Sequence, residues 1–195
     1  MPEDLPKRKT DAGGAIDMNM LIRQEIPEDF ESVYRLVEVA FRDMPFATHH
    51  EQDLVVRLRK SEAFVPELSL VAVADRKIVG HILFTKIAIK AEEKMHVSLM
   101  LAPLSVLPEM QGKGIGSRLI LEGHGIARAL GFASVILVGH PQYYPRFGYL
   151  RAGGFGIRLP INVPEEAFMA RELAEKALAD VRGMVEFPGE FFPES

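Results

Sequence analysis

Apolar positions along this chain recur with two different periods, and the places where the period changes mark the elements. Residues 19–26, NMLIRQEI, read as a strand, and residues 27–43 then carry Phe30, Val33, Tyr34, Val37 and Phe41 at helical spacing. Pro27 and two acids in the first turn suit a helix start, so the spacing predicts an amphipathic helix. In residues 48–60 Thr48 is followed three positions later by Glu51, a capping-box pattern, which predicts a second helix burying Leu54, Val55 and Leu58.

From Leu68 the pattern becomes β-rich. Residues 68–89 read as two strands joined at the polar Asp75-Arg76-Lys77 turn, a hairpin, and residues 96–106 supply a third strand. A glycine stretch then opens a helix running to Leu130, Gly131 caps it, and the wholly apolar residues 132–139 form a short strand. Residues 166–174 fit a helix by propensity and a strand by alternation, and both stay open. The tail from 186 onward, with its two prolines, is expected on the surface. Residues 1–17 show no periodicity and are expected to be a disordered tail, leaving 18–195 as a single domain with its core motifs in 68–156.

Composition narrows the function classes. A length of 195 residues with 48% hydrophobic positions suits one domain with a substantial core. A formal charge of −4 provides no field that would gather nucleic acid or an anionic membrane, so neither partner is expected. The absence of cysteine removes disulfides, thiolate nucleophiles and Cys-containing zinc sites and fits a reducing cytoplasm. No apolar run approaches the ~20 residues of a membrane span or forms a signal peptide, so a soluble cytoplasmic protein is expected. A homodimer, the commonest symmetric assembly, is left open.

His49, His50, Glu51 and Asp53 crowd together and raise a metal reading beside the capping one. The arrangement is not H-E-x-x-H, because Leu54 stands four residues after His50, and the expectation is no metal.

The candidate chemistry centres on Gln111-Gly112-Lys113-Gly114-Ile115-Gly116-Ser117. A Walker A loop needs a lysine directly after its last glycine, where this chain has Ser117. The dinucleotide fingerprint needs G-x-G-x-x-G in a parallel βαβ unit, whereas this stretch is G-x-G-x-G after a run of antiparallel-looking strands. Two readings remain. Glycines let an anion approach the free N–H groups of a helix's first turn, or they merely permit a turn and close packing.

The stretch LSVLPEMQGKGIGSRLI resembles the acetyl-CoA-binding motif of the GNAT superfamily of N-acetyltransferases, [RQ]-x-x-G-x-[GA] after a strand. About thirty residues on, YYPRFGY resembles the same family's Y-x-x-x-G-[FY] element, matched by Tyr144, Gly148 and Tyr149. The run LVGHPQYYPRFGY looks like one subgroup of GNAT acetyltransferases. The resemblance implies an α/β fold of α+β type: a mixed, mostly antiparallel sheet flanked by helices and splayed where CoA enters. It also implies acetyl-CoA as cosubstrate and a primary amine as acceptor, attacking directly in a ternary complex. Carried over by position, Leu104, Ser105 and Val106 meet pantetheine and Gln111, Gly112, Lys113, Gly114, Ile115, Gly116 and Ser117 hold the pyrophosphate. Late residues 167–174 would then be a strand.

In that chemistry Tyr144 is the candidate acid for the departing thiolate, with Tyr143 assigned to packing. Backbone N–H groups near Leu104 to Val106 are candidates for holding the oxyanion. Lys113, Arg118 and Arg128 are the nearby cations. The strand before the loop carries no acid, so the base is unassigned among His81, His96, His140 and Glu51. Two other readings stay open, a non-catalytic acyl-CoA-binding or sensing domain and a binding module in which the glycines are structural.

Overall fold

The computed structural model describes residues 20–45, 47–92 and 94–192. The expected tail at 1–17 lies outside these residues. Nine strands among the described residues form one mixed sheet. The first, β1 (Met20–Gln24), pairs antiparallel with β2 (Phe64–Ala74), which pairs with β3 (Lys77–Ala91), which pairs with β4 (Lys94–Val106). The β2–β3 turn is two residues, Asp75 and Arg76, both at positive φ, the backbone twist that tight hairpins favour.

The order continues with β5 (Ser134–Val138), parallel to β4, then β8 (Phe168–Glu172) and β6 (Leu150–Arg151). Off this path, β9 (Gly183–Glu186) pairs with β3 at Ala88 to Lys90, beyond the point where β2 leaves that edge, and with β7 (Ile157–Arg158). The parallel β4–β5 pair follows from the intervening helix, since parallel neighbours need a crossover.

Side chains of the central strands alternate between two apolar layers. Leu70, Ala72, Ile82 and Phe84 pack against helix α3 (Ile115–Ala129) through Ile115, Leu119, Ile120 and Ala127. Val71 and Leu83 point to the other face, toward α1 (Phe30–Phe41) and α2 (Glu51–Leu58). Both faces are thus covered, as the resemblance implies.

The differences from expectation are local and have physical causes. Residues Pro27–Asp29 form a 3₁₀ turn ahead of α1, held by the Asp29 carboxylate, which accepts from the Ile26 N–H at 3.0 Å. The buried face of α1 holds the expected Val33 and Val37 together with Leu36 and Ala40, while at its edge Phe30 is exposed and Tyr34 half-buried. Those two face α2 instead: the Arg59 guanidinium lies 4.0 Å from the Phe30 ring centroid, and the Tyr34 hydroxyl donates to Asp53 at 3.0 Å. At the start of α2, Glu51 accepts from the Thr48 N–H at 2.7 Å, but His50 holds the N-cap position with no side-chain cap bond, so only half of the capping box forms. Leu54 is half-buried and Gln52 takes its place inside.

Residues Phe168–Glu172 are a strand, buried between β5 and β6, because alternation there matches a site inside the sheet. The carboxy-terminal stretch is less superficial than expected: Phe187 and Phe191 pack on the core, and the Arg57 Nε donates to the Glu190 carbonyl at 2.9 Å. No helix among the described residues is long and apolar enough to cross a membrane.

Candidate functional site

The site begins with an irregularity in β4. Ile82 pairs with Leu104 and Phe84 with Leu101, so Ala102 and Pro103 together oppose Leu83, a bulge in which Pro103 costs no ladder bond. Strands β4 and β5 pair only at Leu99 with Val135 and Met100 with Ile136, before the bulge. Past it, Leu104, Ser105 and Val106 bond to β3 on one side and have no strand partner on the β5 side among the described residues. An unpaired edge between two parallel strands is a place where an extended ligand can take main-chain hydrogen bonds.

The same strand runs into the glycine loop through a 3₁₀ turn at Pro108–Met110, and Gln111 closes back with its side-chain amide donating to the Val106 carbonyl at 3.1 Å. Gly112 (φ 74°) and Gly114 (φ 81°) are left-handed, and neither has an atom within 4 Å of where a Cβ would stand. Conformation, not crowding, requires glycine there. Gly114 is the N-cap of α3, and the first helical bond back runs from the Arg118 N–H to the Gly114 carbonyl. The N–H groups of Ile115, Gly116 and Ser117 therefore have no intrahelical partner, and the first turn holds no acid, the electrostatic setting of an anion site. Lys113 and Arg118 are exposed beside it, with the Arg118 guanidinium 3.4 Å from the Met20 carbonyl, whereas Arg128 lies at the far end of the helix.

Gly116 serves differently: a Cβ there would sit 2.8 Å from the Tyr143 hydroxyl and within 4 Å of Leu104 and Val106. Tyr143 thus reaches across the splay to the start of α3. The packing expected of this side chain is observed, with its ring against Tyr144 and Phe147, and its hydroxyl in addition lies beside the loop. The signal that could have found it is the glycine itself, small where a hydroxyl must approach.

Tyr144 begins the 3₁₀ turn Tyr144–Phe147, with its ring against Gly139, where a Cβ would be 2.3 Å from Cε2. Tyr143 and Tyr149 stack edge-on to it at 5.1 and 5.7 Å between centroids. Burial, reinforced by Tyr143, pushes the Tyr144 hydroxyl above its ordinary 10, which keeps it protonated at neutral pH. Behind it the buried Tyr149 hydroxyl lies 2.8 Å from His124 Nε2. Burial, with the Arg171 and Arg128 charges, lowers His124 to about 3, so that imidazole stays neutral.

On the opposite face a second polar group is buried. Glu25, at the end of β1, takes two hydrogen bonds from the Arg59 guanidinium at the end of α2, and one from the Ser69 hydroxyl at 2.7 Å. Ser69 Oγ in turn lies 3.2 Å from His81 Nε2. Among the unassigned bases, His81 is fully buried here and His96 sits far along the hairpin, 3.4 Å from Ser134 Oγ. His140 is exposed, and Glu51 is engaged with Thr48. No group of three His, Cys, Asp or Glu side chains among the described residues could hold a metal ion; His50 pairs only with Asp53, at 3.1 Å.

Residues 22–152 match the acetyltransferase (GNAT) domain family. The chain is 44% identical over 122 residues to the uncharacterized N-acetyltransferase YjhQ of Escherichia coli, covering 62% of this chain and 67% of that protein. It is 33% identical over 173 residues to the uncharacterized N-acetyltransferase YhbS of Escherichia coli, covering 88% and 98%. The crystal structure of YhbS in complex with CoA superposes with a TM-score of 0.80 over 94% of this chain and 96% of that one, at 30% identity. A GNAT family acetyltransferase from Brucella melitensis, in complex with acetyl-CoA, superposes with a TM-score of 0.73 over 89% and 99%, at 32% identity. Splayed strands, a glycine-opened helix and this extent of shared sequence lead to one conclusion: the chain belongs to the GNAT family of N-acetyltransferases.

Proposed function

We propose that this protein transfers an acetyl group from acetyl-CoA to a primary amine, by direct attack of the amine in a ternary complex. The observation that carries the reading is the unpaired edge of β4 leading straight into the open first turn of α3. Pantetheine would pair with Leu104, Ser105 and Val106, and the pyrophosphate would lie on the N–H groups from Gln111 to Ser117, with Lys113 nearest in charge. An oxyanion at the strand edge would meet main-chain N–H groups that need no side chain. Tyr144 is the proton donor to the leaving thiolate, a role supported by its protonated state and by its ring standing against Gly139, just past the end of β5. Residues 18–195 act as one domain, supported by the single sheet from Met20 to Glu186. A cytoplasmic setting is supported by the absence of cysteine.

The test is direct. Acetyl-CoA at about 100 times its Kd is expected to stabilise the fold by about 2.7 kcal/mol, read as a rise in Tm. No rise at millimolar acetyl-CoA would sink the reading. With an amine that supports turnover, Tyr144→Phe is expected to lower kcat by about 100-fold while leaving acetyl-CoA binding intact. Binding without release of CoA on any amine would favour the sensing domain instead.

A further inference from the structure

The hydrogen bonds on the α1–α2 face have a polarity that defines the histidine at their end. Glu25 is a carboxylate held by Arg59, so it accepts from the Ser69 hydroxyl. With its one proton given to Glu25, Ser69 Oγ accepts from His81, which must carry its proton on Nε2. The other ring nitrogen, Nδ1, is then a bare lone pair, buried and without a partner among the described residues. An Asp or Glu, a hydroxyl and an imidazole in this order leave a neutral ring ready to take a proton on its free nitrogen.

His81 shares a sheet face with the strand of the site. Val71, His81 and Ser105 are register partners across β2, β3 and β4, so their side chains share the face that carries Val71 toward α1 and α2. Ser105 Oγ is also buried without a partner among the described residues, as is Thr85 Oγ1, two positions past Leu83 on the same face. Unmade hydrogen bonds of this kind cost about 1–3 kcal/mol each. Three of them flank the bulge where β4 leaves β5. Directly opposite residues have Cβ atoms about 5 Å apart, close enough for one water or one turn of the Ser105 side chain to join Ser105 Oγ to His81 Nδ1.

We propose that Glu25, Ser69 and His81 form a proton outlet behind the thioester strand, with His81 Nδ1 receiving through Ser105 the proton that the acceptor amine gives up. The proposal rests on the acetyl-transfer reading and supplies the base that the acid-free β4 strand lacks. As the amine nitrogen bonds to the thioester carbon, the C–S bond breaks with its electron pair on sulfur. The nitrogen's proton passes to Ser105 Oγ while the hydroxyl's own proton passes to His81 Nδ1, and Tyr144 protonates the thiolate. His81 becomes an imidazolium facing the Glu25 carboxylate, 3.9 Å from Nε2, and when products leave its proton goes back through Ser105 Oγ into the vacated site, from which the Tyr144 phenolate is reprotonated. Burial holds His81 at about 4, against the pull of Glu25 and with the push of Arg59, so the resting ring is the neutral, receiving form. His81 and its partners are positioning residues, acting through Ser105.

The resting state is tested without any acceptor. In the full chain labelled with ¹⁵N-histidine, long-range ¹H–¹⁵N spectra are expected to show His81 neutral with its proton on Nε2 at neutral pH. A proton on Nδ1 overturns the proposal. Turnover is followed as CoA thiol release from acetyl-CoA with n-butylamine, spermidine and a lysine-containing peptide. His81→Gln keeps an N–H donor for Ser69 and is expected to lower kcat about 100-fold with the acetyl-CoA KM unchanged. Its kcat/KM for the amine should keep the wild-type rise with free amine at a level about 100-fold lower, because a ring that is neutral above about 4 does not titrate within that rise. Ser105→Ala should show the same kinetics with the His81 tautomer unchanged, and it carries the test if His81→Gln does not fold. Variants matching wild type in rate overturn the outlet, whereas a wild-type protein that neither binds acetyl-CoA nor releases thiol defeats the underlying reading and is recognised by that alone.

Discussion

The two faces of this sheet each bury a histidine, and they bury it in opposite ways. On the α3 face His124 meets one phenol, Tyr149, beside the Phe84 ring, and no carboxylate hydrogen-bonds to it among the described residues. On the α1–α2 face His81 ends a chain that contains a buried ion pair, with the Glu25 and Arg59 side chains 1% and 7% exposed. The first pairs two neutral groups, with the Arg171 and Arg128 charges acting on His124 without bonding to it, and sits behind the glycine loop and the tyrosines. The second holds two full charges in an apolar layer, and such a pair is retained for what it positions as much as for stability.

The largest way to test that contrast is to break the pair. Glu25→Ala leaves the Arg59 guanidinium buried and uncompensated, and a loss of about 3–5 kcal/mol is expected in urea unfolding. A loss under about 1 kcal/mol would mean the pair behaves as a surface bridge and the two faces do not differ in kind.

The same contrast explains what could be read from the chain. The α3 face is built from residues adjacent in sequence: strand end, glycines and helix follow one another from Leu104 to Ser117, and the tyrosines lie together at Tyr143 and Tyr144. Local spacing carries that information. The α1–α2 face gathers Glu25, Arg59, Ser69 and His81 from four separate elements, and only the β2–β3 register and the end of α2 bring them together. His81 was one of four equal candidates by sequence, and no local pattern set it apart. Tyr143 packs on the core as expected, but its approach to Gly116 spans 27 residues of chain and had no local signal.

The two histidines also make an acid-sensitivity prediction. An unfolded histidine takes up a proton near 6.5, while the folded ones resist to about 4 for His81 and about 3 for His124. Both pKa values are depressed by folding, so their contribution is full above 6.5 and is lost as pH falls toward those values. Between about pH 7 and about pH 5 each should remove roughly 2 kcal/mol of stability. Around His81 the charges are Glu25 and Arg59; around His124 they are Arg171 and Arg128, with Tyr149 in contact. Replacing the neutral pair together, His124→Leu with Tyr149→Phe, is expected to halve the acid loss at little cost at neutral pH, since both partners become apolar. An unchanged acid loss would show that His124 is not held neutral by its surroundings.

The smallest effects lie within α3, where two glycines two residues apart should answer alanine with opposite signs. A Cβ at Gly123 would stand 2.3 Å from Phe84 Cε2 and 2.7 Å from Cζ, against a fully buried ring with no room to turn aside. Overpacking of this kind costs about 1–3 kcal/mol, more than the ~1 kcal/mol that alanine returns to the helix. At Gly125 nothing lies within 4 Å, so Gly125→Ala should raise stability by about 0.5–1 kcal/mol. Urea midpoints of the two variants measure how closely α3 lies on the sheet. Gly123→Ala as stable as Gly125→Ala would mean the helix stands off, and with it the first turn that the pyrophosphate needs beside β4.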